Sequence, residues 1–531
     1  MQKRLAVLFF SLTLCAFCVM AHTLMVALAP RYVEAASSQS VYTVSVCRTR
    51  GRIYDCKLRA LAGGRMQYRA VILPSRENII KLTRVLPPEK LLEISERLTG
   101  VHPFVCNVDD ASADGYGAIV YPAQKRYAAN CTAVHTVGYL GGDGTGVSGI
   151  EKAYDSYLSA ARGELSIRFS VDATGAGLAG IKPEVTDTTD NSLAGVVLTL
   201  DTDVQRAAED AAEKYIEKGA IVILDVNTGQ IKASVSVPSF RQDRIADALE
   251  EPDSPLLNRA INAYDIGSVF KIVVTAAALE SGIAPDTACM CTGALQIGDN
   301  VFHCANRNGH GLVDMEQAFA RSCNIYYIEL ARLLGGETII EYAKRFGLGR
   351  GVELANGYNT ASGCLPDSEE LLRPAALANF SFGQGRLMAS PTHVAAMTSV
   401  IADGGKYTEP TVFMGMVDSR LENVITPHNR QPKQIISQRT ADIIAGFMCA
   451  AVEYGTASAG GSDETSCAAK TGTAETGIIS DGHRVMQAWY TGFFPADAPR
   501  YVVTVLVEDG ESGGTSAGPV FKYIADRLTV G

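Results

Sequence analysis

The sequence predicts a mixed α/β (α+β) protein of two unequal parts behind one membrane-spanning helix, and three features of the chain predict it. Residues 5–29 carry no charged side chain. Residues 30–190 mix short alternating runs, such as VYTVSVC, with turn-forming stretches. Residues 191–531 set strand-like runs at both ends of a largely helical middle. That pattern is expected when the terminal strands share one antiparallel sheet and the helices cluster on it.

The uncharged run follows Lys3 and Arg4. As a helix rising about 1.5 Å per residue it would reach roughly 37 Å, enough to cross a hydrocarbon layer of about 30 Å. Cleavable signals have apolar regions of about 7–15 residues, so an uncleaved anchor is expected, the alternative being removal near VEAA. The cations ahead of it assign residues 1–4 to the cytoplasm and everything after Pro30 to the outside of the cell membrane.

A smaller domain with its linkers is expected over residues 30–190, from the small-residue stretch AASSQS (35–40) to TDTTDNSLAG (186–195). Its loop GYLGGDGTGVSG has no Lys-Ser/Thr pair after the glycines, so it reads as a plain loop and not as a phosphate cradle. Beyond come a strand GVVLTLD (195–201), a helix over 203–218, and strands GAIVILDVNTG and QIKASVSV turned at Asn227, Thr228 and Gly229. Helices are expected over 268–280, 324–334, 338–346 and 393–403. CAAKTGTAET, QAWYTGFFPAD and RYVVTVLVED then read as strands before a last helix over 519–528.

With 47% hydrophobic and 20% charged residues, the 531-residue chain has ample material for a core. A net charge of −10 and a pI near 5.4 exclude nucleic acid as the main partner, because phosphate binding needs a basic surface. Eleven cysteines follow the anchor, an odd number that cannot all pair within one chain. Unpaired thiols are therefore expected outside the cell, as in a host living with little oxygen. Cys289, Cys291 and Cys304 with His303 and His310 hint at zinc, but C-x-C fits the usual C-x₂₋₄-C spacing poorly, so no metal is expected.

The stretch YDIGSVFKIVVTAAALESG (264–282) reads after Gly267 as a helix apolar on every side, which belongs inside a large core. Ser268 and Lys271, three apart, share one helical face with Cβ atoms about 5–6 Å apart. Burial lowers a lysine pKa, so Lys271 would accept the Ser268 proton near neutral pH. Free N–H groups at the helix start favour the negative charge that develops. The structural alternative is a serine N-cap with a snorkelling lysine. RSCNIYYIELARLLGG places Ser322 and Asn324 at the start of a second apolar helix, where Ser322 also reads as an N-cap. Lys470, Thr471, Gly472 and Thr473 lie in a strand, where glycine marks a close approach. Two G-x-S-x-G matches, at Ser512 and Ser516, have no histidine after them and read as a flexible turn.

In the order Ser-x-x-Lys, Ser-x-Asn, Lys-Thr-Gly, these three sites resemble the set shared by penicillin-binding proteins and serine β-lactamases. RGRIYDCKLRALA (50–62), GVSGIEKAYDSYL, LTLDTDVQ, LLNRAINAYDIGSVFK, SFGQGRLMASPTHVA and AWYTGFFPAD are similar, in order, to segments of class B penicillin-binding proteins, which are membrane-anchored peptidoglycan D,D-transpeptidases. The resemblance implies a penicillin-binding transpeptidase domain at 191–531 on a pedestal, dimerisation-like domain at 30–190. It implies no class A glycosyltransferase domain and no cofactor.

Carried onto this chain, the resemblance implies that Ser268 attacks the penultimate D-alanine carbonyl, Lys271 takes its proton, and Ser322 relays it toward the leaving D-alanine. Asn324 would hold the stem peptide and Lys271, and Lys470 would supply positive charge. Thr471 and Thr473, flanking Gly472, would bind the terminal carboxylate, and the N–H groups of Ser268 and Thr473 would form the oxyanion hole. The implied partners are stem peptides ending in D-alanyl-D-alanine, β-lactam antibiotics and a membrane glycan polymerase. The same motifs also serve a D,D-carboxypeptidase or β-lactamase using water, or a non-catalytic β-lactam sensor or scaffold. Two departures stand out. Ile266 and Val269 replace the usual proline and threonine around Ser268, and the first leaves the helix entrance less rigid. Cys56 replaces the arginine usual after Asp55 in the pedestal motif.

Overall fold

The computed structural model describes residues 2–29, 40–178, 180–425, 430–480 and 483–530. The linker expected at 35–40 lies, except for Ser40, outside them. Helix α1 (Gln2–Leu28) buries none of its residues and is, among the described residues, the one helix long and apolar enough to cross a membrane. The chain forms two compact units: Met1–Arg50, Gly63–Arg126 and Ala161–Leu193 make the first, and Gly51–Ala62, Tyr127–Ala160 and Ala194–Gly531 the second. Among the described residues, which include all thirteen cysteines, no disulfide is formed.

In the first unit, strands Arg65–Ile72, Phe104–Val108 and Ala118–Lys125 form an antiparallel sheet. Side chains alternate across a strand. Ala70 and Ile72 therefore pack with Leu82, Ile94 and Leu98 of the helices Arg76–Leu82 and Pro88–Leu98. Val71 turns the other way, to Val44, Val46, Leu165 and Ile167 of the antiparallel strands Val41–Thr49 and Gly163–Ser170.

The division differs from an uninterrupted pedestal over 30–190, because 51–62 and 127–160 belong to the larger unit. Backbone pairing is the reason. Arg52–Tyr54 pairs in parallel with Gly195–Leu198, whose other edge takes Phe413–Val417, so the GVVLTLD strand sits in this separate five-stranded sheet. Side chains add to it. Buried Asp55 accepts from Thr202 Oγ1 at 2.6 Å and Arg59 Nε at 2.7 Å, and Arg59 reaches Asp201 and Asp203 at 2.9 Å each. Burial alone would raise the Asp55 carboxyl, but these hydrogen bonds outweigh it and hold the group below its ordinary value. With Cys56 in the usual arginine position, Arg59 makes the ion pair.

The larger unit is built on five antiparallel strands, β1 (Gly219–Asp225), β2 (Ile231–Val237), β3 (Ala468–Ser480), β4 (His483–Phe494) and β5 (Tyr501–Glu508), in the order β2-β1-β5-β4-β3. Strands from both ends of 191–531 thus share one sheet, with β3 at its edge. The helices that position the site are α2 (Thr202–Tyr215), α3 (Lys271–Glu280), α4 (Met315–Ala320), α5 (Asn324–Leu334), α6 (Pro391–Ala402), α7 (Gln438–Glu453) and α8 (Gly518–Val530). Ile221, Ile223, Val503 and Val505 pack with α2 and α8 on one face. Val222, Leu224, Leu506 and Trp489 join the core of α3, α5 and α6 on the other. Lys271–Ala278 of α3 is buried without interruption, as an all-round apolar helix demands.

Candidate active site

Gly267–Phe270 forms a 3₁₀ turn that runs directly into α3, setting half-buried Ser268 one turn before Lys271. Two glycines let this turn meet the edge of β3. A Cβ on Gly267, whose φ is +57°, would lie 2.7 Å from Thr473 O, and one on Gly472 would lie 2.9 Å from Ile266 O. The slack expected at Ile266 is not found. Ile266 is fully buried, Trp489 Nε1 donates to Asp265 O at 2.8 Å, and Gly267 N donates to Gly383 O at 3.0 Å. Tertiary bonds fix the entrance that proline would otherwise stiffen.

Lys271 is fully buried, and its Nζ lies 2.8 Å from Ser322 O, 2.8 Å from Asn324 Oδ1 and 3.1 Å from Ser322 Oγ. Loss of hydration lowers its pKa to about 7, against the opposing influence of the nearby Cys323 and Cys304 thiols. A carbonyl and an amide oxygen can only accept, so they take two N–H bonds. A neutral amine then has its lone pair left for a hydroxyl proton. Among the described residues no hydrogen bond joins Lys271 to Ser268; the hydroxyl that Lys271 touches belongs to Ser322.

Ser322 is not the N-cap the sequence suggested. It follows α4 in the left-handed region, φ +53°, with Ser322 N donating to Phe319 O and Cys323 N to Ala318 O. That is a Schellman closure with serine where glycine is usual, and Cys323 takes the N-cap position of α5. A non-glycine residue held there carries backbone strain, which folds keep mainly at functional sites. The result aims the Ser322 hydroxyl between two amines, since Lys470 Nζ lies 3.0 Å from the same oxygen. Lys470 also donates to Thr471 O at 3.0 Å, and burial, with the Lys271 charge adding to it, holds its pKa well below the usual lysine value.

Ser268, Ser322, Asn324, Thr471, Gly472 and Thr473 line one cleft of about 490 Å³, while Lys271 and Lys470 are fully buried. Asn324 Nδ2 donates to His303 O at 3.1 Å, tying the start of α5 to the hairpin beside it. Thr456 meets Thr471 hydroxyl to hydroxyl at 2.6 Å, and Gly513 N donates to Thr473 Oγ1 at 3.4 Å. Sequence reasoning passed over Thr456, which has no motif around it, and set Gly513 aside with the G-x-S-x-G turn that contains it. Ser512 and Ser516 serve the turn before α8, where Thr515 N and Glu511 N donate to their hydroxyls.

A second group stands immediately behind. Cys291, Cys304, His310 and Cys323 bring four ligand-type atoms within 4.8 Å of one another. Cys289 and His303, weighed with them in the sequence, are not in the group. The group adds Cys323, which the sequence had not set beside the others.

Residues 219–526 match the penicillin binding protein transpeptidase domain. The chain is 31% identical over 430 residues to a peptidoglycan D,D-transpeptidase, PbpA, of Mycolicibacterium smegmatis, covering 76% of this chain and 82% of the relative. It superposes with a TM-score of 0.72 at 25% identity, covering 99% of this chain and 98% of the other, on a chain from a peptidoglycan synthase complex that coordinates polymerisation and crosslinking. It also superposes, with a TM-score of 0.66 at 24% identity and 90% and 97% coverage, on penicillin-binding protein A of M. tuberculosis in its ceftriaxone acyl-enzyme complex. The chain belongs to the penicillin-binding protein transpeptidase family, as a class B member and a serine D,D-transpeptidase.

Proposed function

We propose that the chain cross-links peptidoglycan by a two-step acyl transfer through Ser268. A donor stem peptide ending in D-alanyl-D-alanine enters the cleft with its terminal carboxylate at Thr471 and Thr473. Ser268 Oγ attacks the penultimate carbonyl, and its proton passes to neutral Lys271. The N–H groups of Ser268 and Thr473 stabilise the oxyanion; such donors are typically worth about 100- to 1000-fold in rate. The proton then moves through Ser322 to the leaving D-alanine amine, and Lys470 holds the Ser322 hydroxyl in line. An amine of a neighbouring stem peptide takes the acyl group, and Ser268 is released with its proton restored.

The observation that carries this reading is the Ser322 hydroxyl shared by two buried amines beside the cleft that Ser268 lines. β-Lactams, acting as donor mimics, would acylate the same serine. With α1 as an anchor and Lys3 and Arg4 inside, the catalytic unit would lie outside the cell membrane, where a membrane glycan polymerase supplies strands. The synthase-complex likeness supports such a partner.

Fluorescent penicillin tests the assignment on the purified full chain. The wild type should carry a stable label and Ser268→Ala none. Label persisting on Ser268→Ala overturns the nucleophile, and rapid penicillin turnover without a stable adduct overturns the cross-linking reading in favour of a lactamase.

A further inference from the structure

We propose that Arg321 is the countercharge for the donor: its guanidinium closes on the terminal carboxylate of the stem peptide, or on the equivalent carboxylate of a β-lactam, while Thr471 and Thr473 bind the same group from β3. The proposal rests on the acyl-transfer reading and adds a recognition residue to it.

Charge comes first. Among the described residues that line the cleft, Arg321 alone carries a formal charge. Lys271 and Lys470 are 0% exposed, and Ser322, Asn324 and Thr471 engage their amines. An anion that enters the cleft therefore meets Arg321 as its accessible cation. Taking a carboxylate out of water is costly unless an opposite charge receives it. As the ligand displaces water from the cleft, the attraction between the two charges strengthens.

The two threonines supply hydrogen bonds but no charge. Thr456 meets Thr471 hydroxyl to hydroxyl at 2.6 Å, and Gly513 N donates to Thr473 Oγ1 at 3.4 Å. With Thr456 as the donor, each cleft threonine accepts from behind and keeps its own proton for the ligand. Two neutral O–H donors fill two of the roughly four lone-pair sites that a carboxylate presents. A guanidinium offers the remaining sites paired N–H groups in a planar fork, and such charge-assisted bonds are about twice as strong as neutral ones.

The backbone holds Arg321 at the Thr471 end of the cleft. Arg321 N donates to Gln317 O at 3.0 Å as α4 ends, and the left-handed Ser322 that follows fixes the turn. Ala320 O accepts from Thr456 N at 3.0 Å. Contacts thus run from Ala320, next to Arg321, through Thr456 to Thr471. Arg321 is exposed, and among the described residues its side chain makes no hydrogen bond or ion pair. The acids at the start of α4 are engaged elsewhere: Asp314 accepts from Gln317 N at 2.9 Å, and Glu316 accepts from the Tyr454 hydroxyl at 3.1 Å. On β4 the rival cation Arg484 is paired with Glu475 of β3. Arg321 is therefore left with an unspent charge at the one place where the donor brings a carboxylate.

The test compares a penicillin carrying its free carboxylate with the methyl ester of the same penicillin, on the full chain in detergent, by the second-order rate of acylation. In the wild type the carboxylate form should react faster than the ester by roughly 100-fold. Arg321→Gln should lower that ratio by about tenfold or more, and Arg321→Lys should restore part of it, because a point charge replaces the fork. A merely structural role for Arg321 would slow both probes equally and leave the ratio where it was. Salt gives a measurement that needs no variant: the wild-type ratio should fall about twofold between roughly 0.05 and 0.5 M sodium chloride, as screening weakens the attraction. A ratio unchanged in Arg321→Gln, or a wild-type ratio insensitive to salt, overturns the assignment of Arg321 and leaves Ser268 as the nucleophile. A wild type that the carboxylate penicillin fails to label overturns the acyl-transfer reading and the carboxylate site with it.

Discussion

Lys470 Nζ lies 3.0 Å from the Ser322 hydroxyl, deep enough that neither the amine nor its stem meets solvent. The contact joins the edge strand β3 to the turn after α4. Lys470→Met removes it while nearly preserving volume. Acylation by penicillin should fall by about 100- to 1000-fold, the usual effect of losing one preorganised hydrogen-bond donor. Thermal stability should stay close to wild type, because exchanging a buried amine for a hydrophobe is often neutral. Stopped-flow labelling beside a melting curve separates the two effects.

The strained backbone at Ser322 gives a paired prediction. Ser322→Ala and Ser322→Gly both delete the hydroxyl and should both slow acylation by at least tenfold. Only glycine relaxes φ +53°, so Ser322→Gly should be more stable than Ser322→Ala by about 1 kcal/mol. Denaturant midpoints of the two variants measure the difference directly.

Gly472 bears on the junction of strand and helix turn. A methyl there would lie 3.0 Å from Val269 Cγ1 and 2.9 Å from Ile266 O. Gly472→Ala should therefore push β3 away from Ser268 and lower acylation by about 100-fold, an effect of misplacement rather than of lost chemistry. A folded variant with unchanged circular dichroism and slow labelling is the expected outcome.

Burial of Lys271 also makes a stability prediction with a definite sign. Below about pH 7 the lysine is protonated in both folded and unfolded chains, and the cost of burying an ammonium is fully present. Between about 7 and 10.5 the folded chain has shed a proton that the unfolded chain still binds, so stability from this group rises with pH and levels off above. Lys271→Met lacks this dependence. Its stability advantage over wild type should shrink by on the order of 2–3 kcal/mol from pH 7 to about 9, as urea titrations would show.

Much of this arrangement was legible from residue order. Apolar periodicity located the helices that became α5 and α6 to within two or three residues, and the late β-branched runs became β4 and β5. The three motif sites could be expected to meet because each carries a chemistry that the others complete. What stayed hidden depends on contacts between distant segments. Nothing local marks Ser322 as left-handed, since its strain is imposed by the closure of α4 against α5. Arg52–Tyr54 reads as pedestal until Gly195–Leu198 offers it a parallel partner. Gly383 stabilises the turn at Gly267 from more than a hundred residues away. Cysteines spaced 13 and 19 apart carry no periodic signal, so their convergence on His310 emerges only in three dimensions.

The pH dependence of second-order acylation by a penicillin tests most directly whether a neutral Lys271 is the base. The wild-type rate constant should climb about tenfold per pH unit below the Lys271 pKa and flatten above about 7, since this profile reports groups of the free enzyme. Lys271→Arg, charged throughout, should be slower by at least about 100-fold and show no such inflection. A wild-type profile flat across neutral pH, or an arginine variant that acylates at the wild-type rate, would contradict it.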